Sequence, residues 1–235
     1  MSKLTRIGDF ELKGYKIFQV VKGHSSIKET DNTLLIVMDE RLHGLNGTLT
    51  YYAYGKGVTV PGFTSDSTME QTYNLKKAQL LVVDNHLRIV YREQLDATTA
   101  RVDKVFLYGD ANKPTFVLTK DDSQGSGSYN GPVSFFLEMD KKGIHYIFDK
   151  GGFMTSLKRG WCISHRTTPK EILYQQTNPN SSNPTEEDKK FVVSYIRWHY
   201  TNGQWVKSKK EEYGFWENWE QDTGVDIDEF YSKFR

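Results

Sequence analysis

Short apolar runs alternate with polar turn residues along most of the chain. The runs are rich in Leu, Ile, Val and Tyr, which pack well on pleated surfaces, and most of them end at Gly, Asn, Asp or Pro. This pattern predicts strands at 33–39, 48–54, 78–84, 87–93, 104–109, 114–119, 133–139, 144–148, 160–165, 171–175, 191–200 and 204–208. Because consecutive strands are joined by short connections, we predict a mainly β fold built from antiparallel meanders.

Three dipeptides between these strands predict tight hairpin turns: Asp84-Asn85, Lys142-Gly143 and Asn202-Gly203. The signal is strongest at Asn202-Gly203, because Asn and Gly both tolerate the positive φ angles that a type I′ turn requires. We expect this turn to pair Ile196–Tyr200 with Trp205–Lys207.

A weak repeat runs through the strands. Each unit contains a strand, a polar connection, a second strand, a tight turn and a third strand, with units near 33–62, 114–148 and 171–208. Such repeats are typical of propeller blades or of stacked sheets. We predict one mainly β domain over 1–235, with a propeller-like or stacked-sheet arrangement.

Two segments depart from the strand pattern. Residues 178–190 are polar, contain two prolines and predict a long exposed loop, in which Thr185 could cap a short helical turn. Residues 226–235 predict a short amphipathic C-terminal helix, because apolar residues follow a helical spacing from Ile227 to Phe234. Asp226 or Asp228 supplies the negative charge that stabilises the start of such a helix.

Charge and cysteine content exclude several classes of protein. Lys and Arg total 31, Asp and Glu total 30, and the formal net charge of +1 lacks the basic surplus of a nucleic-acid-binding protein. Cys162 is the sole cysteine, which excludes an intramolecular disulfide and a thiolate zinc cluster. Since no apolar segment has the length of a signal peptide or a membrane span, we predict a cytoplasmic protein without a membrane partner.

For the loop Asp121–Gly131 we favour a structural turn over a catalytic loop, because its glycines allow backbone angles that other residues avoid. Its acids do not follow EF-hand spacing, and its glycines are not followed by the Lys-Ser/Thr of a phosphate-binding loop. We therefore expect neither a metal nor a cofactor here. Loops on rigid scaffolds often bind partners, and the partner-binding residues that we predict in this loop are Asp121, Asp122, Tyr129 and Asn130.

Catalytic motifs are absent from the sequence. The six histidines form no metal-protease spacing, and no nucleophile elbow is present. Cys162 and His165 are three residues apart, so in a strand their side chains face opposite sides of the sheet. We predict that Cys162 acts as a small buried apolar residue and that the protein has no catalytic residues.

Residues 211–222 combine aromatic and acidic side chains without a clear helical or strand period. Part of this segment is expected in the core, but aromatic anchors among acids are also typical of a surface that binds a basic partner. Core and interface are equally supported. The partner-binding residues that we predict in this segment are Tyr213, Trp216 and Trp219.

Four motifs carry a resemblance to known proteins: FVLTxDDSxGxGSYNGP at 116–132, SLKxxW at 156–161, YxxGxWV at 200–206 and GFWE at 214–217. Over roughly residues 104–220 the chain resembles a group of proteobacterial proteins associated with polymorphic-toxin and type VI secretion loci. The resemblance implies an immunity protein, which binds and neutralises a cognate effector toxin by covering it. It defines no catalytic residues.

Two other functions stay open. The first is a carbohydrate- or peptide-binding module that uses exposed Trp and Tyr side chains. The second is a hydrolase whose site is assembled from distant loops and uses Asp121 or Asp122 with a histidine. Coplanar exposed aromatic rings would favour the first alternative, and convergent titratable groups would favour the second.

Overall fold

The fold is taken from a computed structural model, which describes part of the chain. The described residues are 6–7, 10–11, 15–22, 33–39, 49–52, 70–73, 78–84, 86–95, 99–109, 114–121, 132–140, 143–148, 151–155, 159–182, 185–186, 189–214 and 225–235. Within them, none of the helical segments is long and apolar enough to cross a bilayer.

The N-terminal part of the chain forms one four-stranded sheet and two small hairpins. The first sheet has the order β3-β4-β7-β8, with β3 at Tyr15–Lys22, β4 at Thr33–Asp39, β7 at Ala78–Val83 and β8 at Ile89–Leu95. The hairpins pair β1 (Arg6–Ile7) with β2 (Phe10–Glu11) and β5 (Leu49–Tyr52) with β6 (Glu70–Tyr73).

Two further sheets follow in chain order. The second sheet contains β9 (Thr99–Val105), β10 (Thr115–Asp121), β11 (Val133–Asp140) and β12 (Gly143–Tyr146), and β13 (Phe153–Met154) also pairs with β11. The third sheet contains β14 (Arg159–Ser164), β15 (Glu171–Pro179), β16 (Phe191–Thr201) and β17 (Gln204–Gly214). Neighbouring strands pair antiparallel throughout the described sheets, so the predicted mainly β fold with antiparallel meanders is confirmed.

The second sheet is buried on both faces because it packs against the first sheet on one side and the third sheet on the other. On β10, Phe116 and Leu118 pack toward the first sheet, whereas Val117 packs toward the third. Side chains alternate across a strand, and a strand buried on both faces therefore needs a continuous apolar run such as FVL. The two resulting cores share the middle sheet. The propeller arrangement and the predicted repeat units remain predictions.

The predicted C-terminal helix is confirmed as α1, which spans Ile227–Ser232. The Asp226 side chain caps its start by accepting hydrogen bonds from the amides of Asp228 and Glu229 at 2.8 and 3.0 Å. Phe230 is fully buried on the outer face of the third sheet, against Leu173 and Tyr195. The helix therefore covers the face of this sheet that is turned away from the second.

Several strand boundaries differ from the prediction. The strand expected at 104–109 lies at Thr99–Val105, because the chain leaves the sheet before Leu107 and turns through Gly109 at φ 72°. Strand β15 extends to Pro179, into the predicted loop at 178–190, since Asn178 and Pro179 pair with β16. The predicted pattern also missed strands β1, β2, β3, β6 and β13.

The three predicted turns have different outcomes. At Asn202-Gly203 the φ angles are 49° and 82°, and Thr201 pairs with Gln204, which confirms the two-residue turn. Gly143 pairs with Asp140 and thus lies in β12, not in the turn. Val83 pairs with Ile89, so the connection at Asp84-Asn85 covers 84–88 and is longer than the predicted tight turn.

Candidate functional site

The connection between β7 and β8 presents apolar side chains to solvent. Leu87, Ile89 and Val90 are 46%, 36% and 37% exposed, and we call these three residues the apolar tip. In the described part of the chain, the remaining large apolar side chain with comparable exposure is that of Tyr213. Ile89 and Val90 are consecutive residues of β8, and the side chains of consecutive residues in a regular strand lie on opposite faces of the sheet, with Leu87 in the connection before them.

Asp84 fixes the conformation of this connection. Its Oδ1 accepts hydrogen bonds from the amides of His86 and Arg88, both at 2.9 Å, and its Oδ2 accepts one from Arg88 Nε at 2.7 Å. Its backbone also takes part, because the Asp84 amide donates to Arg88 O and the Leu87 amide donates to Asp84 O, each at 3.0 Å. A short side chain that binds nearby amides is a common device for shaping a turn.

Leu87 adopts a left-handed backbone conformation with φ at 60°. For a residue with a Cβ atom this region costs about 1–2 kcal/mol, which is why glycine or asparagine usually occupies it. Strained residues of this kind persist where the surrounding contacts determine the backbone, and they cluster at functional sites. The Asp84 hydrogen bonds supply those contacts at Leu87.

Basic groups surround the apolar tip. Arg88, in the connection, is 75% exposed at its side chain, and Arg92 is exposed on β8, where its Nη2 donates to Tyr15 Oη at 2.9 Å. The hydrogen bond from the Arg88 amide, supported by the guanidinium group of Arg88, holds the pKa of Asp84 below its usual value. Asp84 is therefore a carboxylate at neutral pH and is neutralised by Arg88, which leaves the charge of Arg92 beside the tip.

The base of β8 is tied to the second sheet. Glu93 accepts hydrogen bonds from Tyr91 Oη and Tyr146 Oη, both at 2.7 Å, and Tyr146 belongs to β12. Burial, followed by these hydrogen bonds to a carboxylate, raises the pKa of both tyrosines, so they stay protonated donors. The apolar tip thus projects from a base that is held by two sheets.

The residues predicted from the sequence lie elsewhere. Tyr213 is on β17 in the third sheet and is 62% exposed. Asp121 is the last residue of β10 in the second sheet, where it pairs with Thr99. The described structure does not bring these two together. The remaining five predicted residues lie outside the described residues: Asp122, Tyr129, Asn130, Trp216 and Trp219.

The sequence prediction missed the apolar tip because it interpreted 87–93 as a strand interior. The run LRIVYRE has the composition of a strand, and most of it does form β8. The exposure of the first residues of this strand depends on the long connection before it, whose conformation Asp84 determines. An Asp three residues before an apolar residue is a weak signal by itself.

A cluster of titratable side chains lies where the second and third sheets meet. Tyr108 Oη donates to Glu138 Oε1 at 2.8 Å, Trp205 Nε1 donates to Tyr108 Oη at 3.1 Å, and His145 Nε2 lies 3.6 Å from Glu138 Oε2. Burial, then the hydrogen bond to Glu138, raises the pKa of Tyr108. These bonds connect the two sheets.

The carboxylate–histidine pair of the hydrolase alternative is not assembled by Asp121 and His145. Lys120 pairs with Val133 whereas His145 pairs with Glu138, so Asp121 and His145 are separated by roughly 20 Å along the strands. Among the residues with a described position, no group of three His, Cys, Asp or Glu side chains could hold a metal ion.

The aromatic side chains near Trp205 do not form a flat platform. Tyr108 and Tyr200 meet at an interplanar angle of 89°, Tyr200 and Trp205 at 67°, and Phe148 and Trp205 at 73°. Edge-to-face contacts of this kind are the usual packing of buried rings. They do not support a sugar-binding face in this part of the structure.

Cys162 packs beside Leu173, Tyr195 and Phe230 under helix α1. Burial raises the pKa of its thiol to about 11, so the reactive thiolate is suppressed at neutral pH. This environment agrees with the predicted role of Cys162 as a small apolar residue.

Comparison of the chain with protein-family models, with curated proteins and with solved structures found no match in any of the three.

Proposed function

We propose that the protein is a non-enzymatic binding protein, and specifically an immunity protein that covers a cognate effector toxin in the bacterial cytoplasm. The observation that carries the proposal is Leu87, an exposed apolar side chain kept in a strained backbone conformation by Asp84. Strain at an exposed residue has no benefit for packing, which favours a role in recognition. The four motifs that resemble proteins of toxin loci support the same function.

A rigid apolar tip suits inhibition by coverage. A tip that is already shaped loses little conformational entropy on binding, so the binding energy of the exposed Leu87 side chain is retained. The complementary surface on the toxin is an apolar pocket, and acidic groups on its rim would face Arg92. Full inhibition requires slow dissociation, which an apolar anchor in a closed pocket supplies.

The test is binding to, and protection against, the protein encoded by the gene adjacent to that of this chain. Leu87→Asn removes the apolar side chain but suits the left-handed backbone, so the variant is expected to melt no lower than the wild type. Because a buried Leu contributes roughly 1.5–3 kcal/mol, affinity for the neighbouring protein is expected to fall about 10- to 100-fold, mainly through faster dissociation.

Two matched variants separate recognition from general damage. Leu87→Met keeps an apolar side chain of similar volume and is expected to bind almost as the wild type does. Asn202→Gly changes the polar hairpin turn of the third sheet, which shares the positive φ but lacks the apolar side chain, and is expected to leave binding unchanged. A wild-type protein that neither binds nor protects against the neighbouring protein would refute the immunity function.

A further inference from the structure

Strand β17 forms one edge of the third sheet. It spans Gln204–Gly214 and is hydrogen-bonded to β16 on one side, and no other described strand pairs with it. Thr201 and Gln204 flank the two-residue turn, so the backbone groups of every second residue from Gln204 point toward β16. The backbone groups of the alternate residues, from Trp205 to Tyr213, point to the outer edge of the sheet.

The charges of β17 are separated by sign along the strand. Its sequence KSKKEE at 207–212 places Lys207, Lys209 and Lys210 before Glu211 and Glu212, and all five side chains are exposed. An antiparallel copy of such a strand sets its acidic half against the basic half of the first. Charges of one sign on an edge strand prevent pairing, whereas this order of signs is self-complementary.

One register sets opposite charges against each other at two symmetry-related positions. With Lys210 at the centre of the pairing, Lys209 lies opposite Glu211 of the second copy, and the same contact occurs twice. The two Lys210 side chains face each other, and each is diagonal to Glu212 of the second copy on the same face, which offsets their mutual repulsion. This register also aligns the outward-pointing backbone groups of the two strands as a ladder.

The ion pairs within one chain do not oppose this pairing strongly. Lys209 Nζ lies 2.5 Å from Glu211 Oε1, and Lys233 Nζ lies 2.8 Å from Glu212 Oε2. Both pairs are solvent-accessible, and exposed pairs of this kind are weak and exchange readily. The backbone ladder between the two edges supplies attraction that the separate chains lack.

We propose that two copies of the chain pair antiparallel through β17 and join their third sheets into one continuous sheet. The pairing rests on β17 and is independent of the apolar tip. Since one pair of strands buries a small area, the dimer is transient and depends on protein concentration. Screening of the charges is expected to shift the equilibrium toward the monomer as salt concentration rises.

Sedimentation velocity of the purified full chain over a concentration series tests the pairing. The wild type is expected to show a reversible monomer–dimer equilibrium. Lys209→Glu/Lys210→Glu makes residues 209–212 entirely acidic, and Glu211→Lys/Glu212→Lys makes them entirely basic, so each double variant is expected to weaken dimerisation about tenfold or more. Near-UV circular dichroism verifies that both variants are folded.

The decisive sample is an equimolar mixture of the two double variants, which is expected to restore dimerisation because acidic and basic strands then meet. The quadruple variant Lys209→Glu/Lys210→Glu/Glu211→Lys/Glu212→Lys reverses both halves and is expected to dimerise by itself. Glu186→Lys, an exposed charge change outside β17, is the control and should leave the wild-type equilibrium unchanged. A wild-type monomer at every concentration, or a mixture that stays monomeric, would overturn the proposal.

Discussion

Two residues with opposite effects on stability determine the shape of the apolar tip. Leu87 raises the energy of the folded state by its left-handed backbone, whereas Asp84 lowers it by binding two amides and a guanidinium group. A position that needs such compensation is easily improved for stability by Asn or Gly. Leucine at this position is therefore best explained by what its exposed side chain binds.

The contribution of Asp84 is expected to depend on pH. Its pKa is lowered in the folded protein, so the carboxylate stabilises the fold above its ordinary pKa of 3.8 and loses this effect as pH falls through the lowered pKa. Asp84→Asn keeps an oxygen for the two amides but loses the charge. It should melt below the wild type at pH 7, and the difference should disappear in acid.

Asp84→Ala removes the acceptor as well and provides the control for geometry. It is expected to melt lower than Asp84→Asn at every pH and to lose protection of the His86 and Arg88 amides in hydrogen exchange. Thermal unfolding of the three proteins between neutral pH and pH 3 measures both effects. A gap between wild type and Asp84→Asn that stays constant into acid would contradict the role of the charge.

At the scale of strands and helices, local pattern predicted much of the fold. The apolar runs predicted β4, β7 and β10 to β12, and Asn202-Gly203 predicted its turn, because these features depend on neighbouring residues. Short or polar strands such as β6 and β13 were missed, since pairing with a partner strand determines them. The apolar tip was missed for a similar reason, because its exposure depends on the surrounding fold.

Contacts between distant segments could not be predicted in the same way. Glu171, which is almost fully buried, accepts hydrogen bonds from Arg197 Nη2 at 2.5 Å and from Tyr231 Oη. The three residues come from β15, β16 and α1, and together they fasten the C-terminal helix to the third sheet. Burial and the hydrogen bond to Glu171 raise the pKa of Tyr231 to about 12, so it remains a donor.

Two glycines allow backbone strain to be measured without a packing effect. A Cβ atom on Gly203 or on Gly151 would meet nothing within 4 Å, but Gly203 alone of the two has a positive φ, of 82°. Gly203→Ala is expected to destabilise the protein by about 1 kcal/mol or more, whereas Gly151→Ala should be neutral or slightly stabilising. Urea unfolding of both variants makes the comparison, and equal effects would show that the turn at Asn202-Gly203 does not determine stability.

At the scale of the whole molecule, the middle sheet connects the other two. It contributes Leu118 and Phe116 to the core with the first sheet and Val117 and Phe136 to the core with the third. Gln19 on β3 adds a polar link, because its side-chain amide exchanges hydrogen bonds of 2.7 and 2.8 Å with the backbone of Val102 on β9. Sheets that share cores in this way are expected to unfold together.

The tryptophans offer a probe for this cooperativity. All five lie at position 161 or later, and the described ones are Trp161, Trp198 and Trp205 of the third sheet, so intrinsic fluorescence reports on that end of the stack. Leu118→Ala removes packing from the opposite core and is expected to cost about 2–5 kcal/mol. If the sheets unfold as one unit, the fluorescence midpoint in urea should shift by as much as the circular dichroism midpoint.

Val117→Ala, on the same strand but facing the tryptophans, is the control and should shift the midpoints of both probes. A fluorescence midpoint that stays at the wild-type value in Leu118→Ala, while circular dichroism shifts, would show that the third sheet unfolds independently of the first.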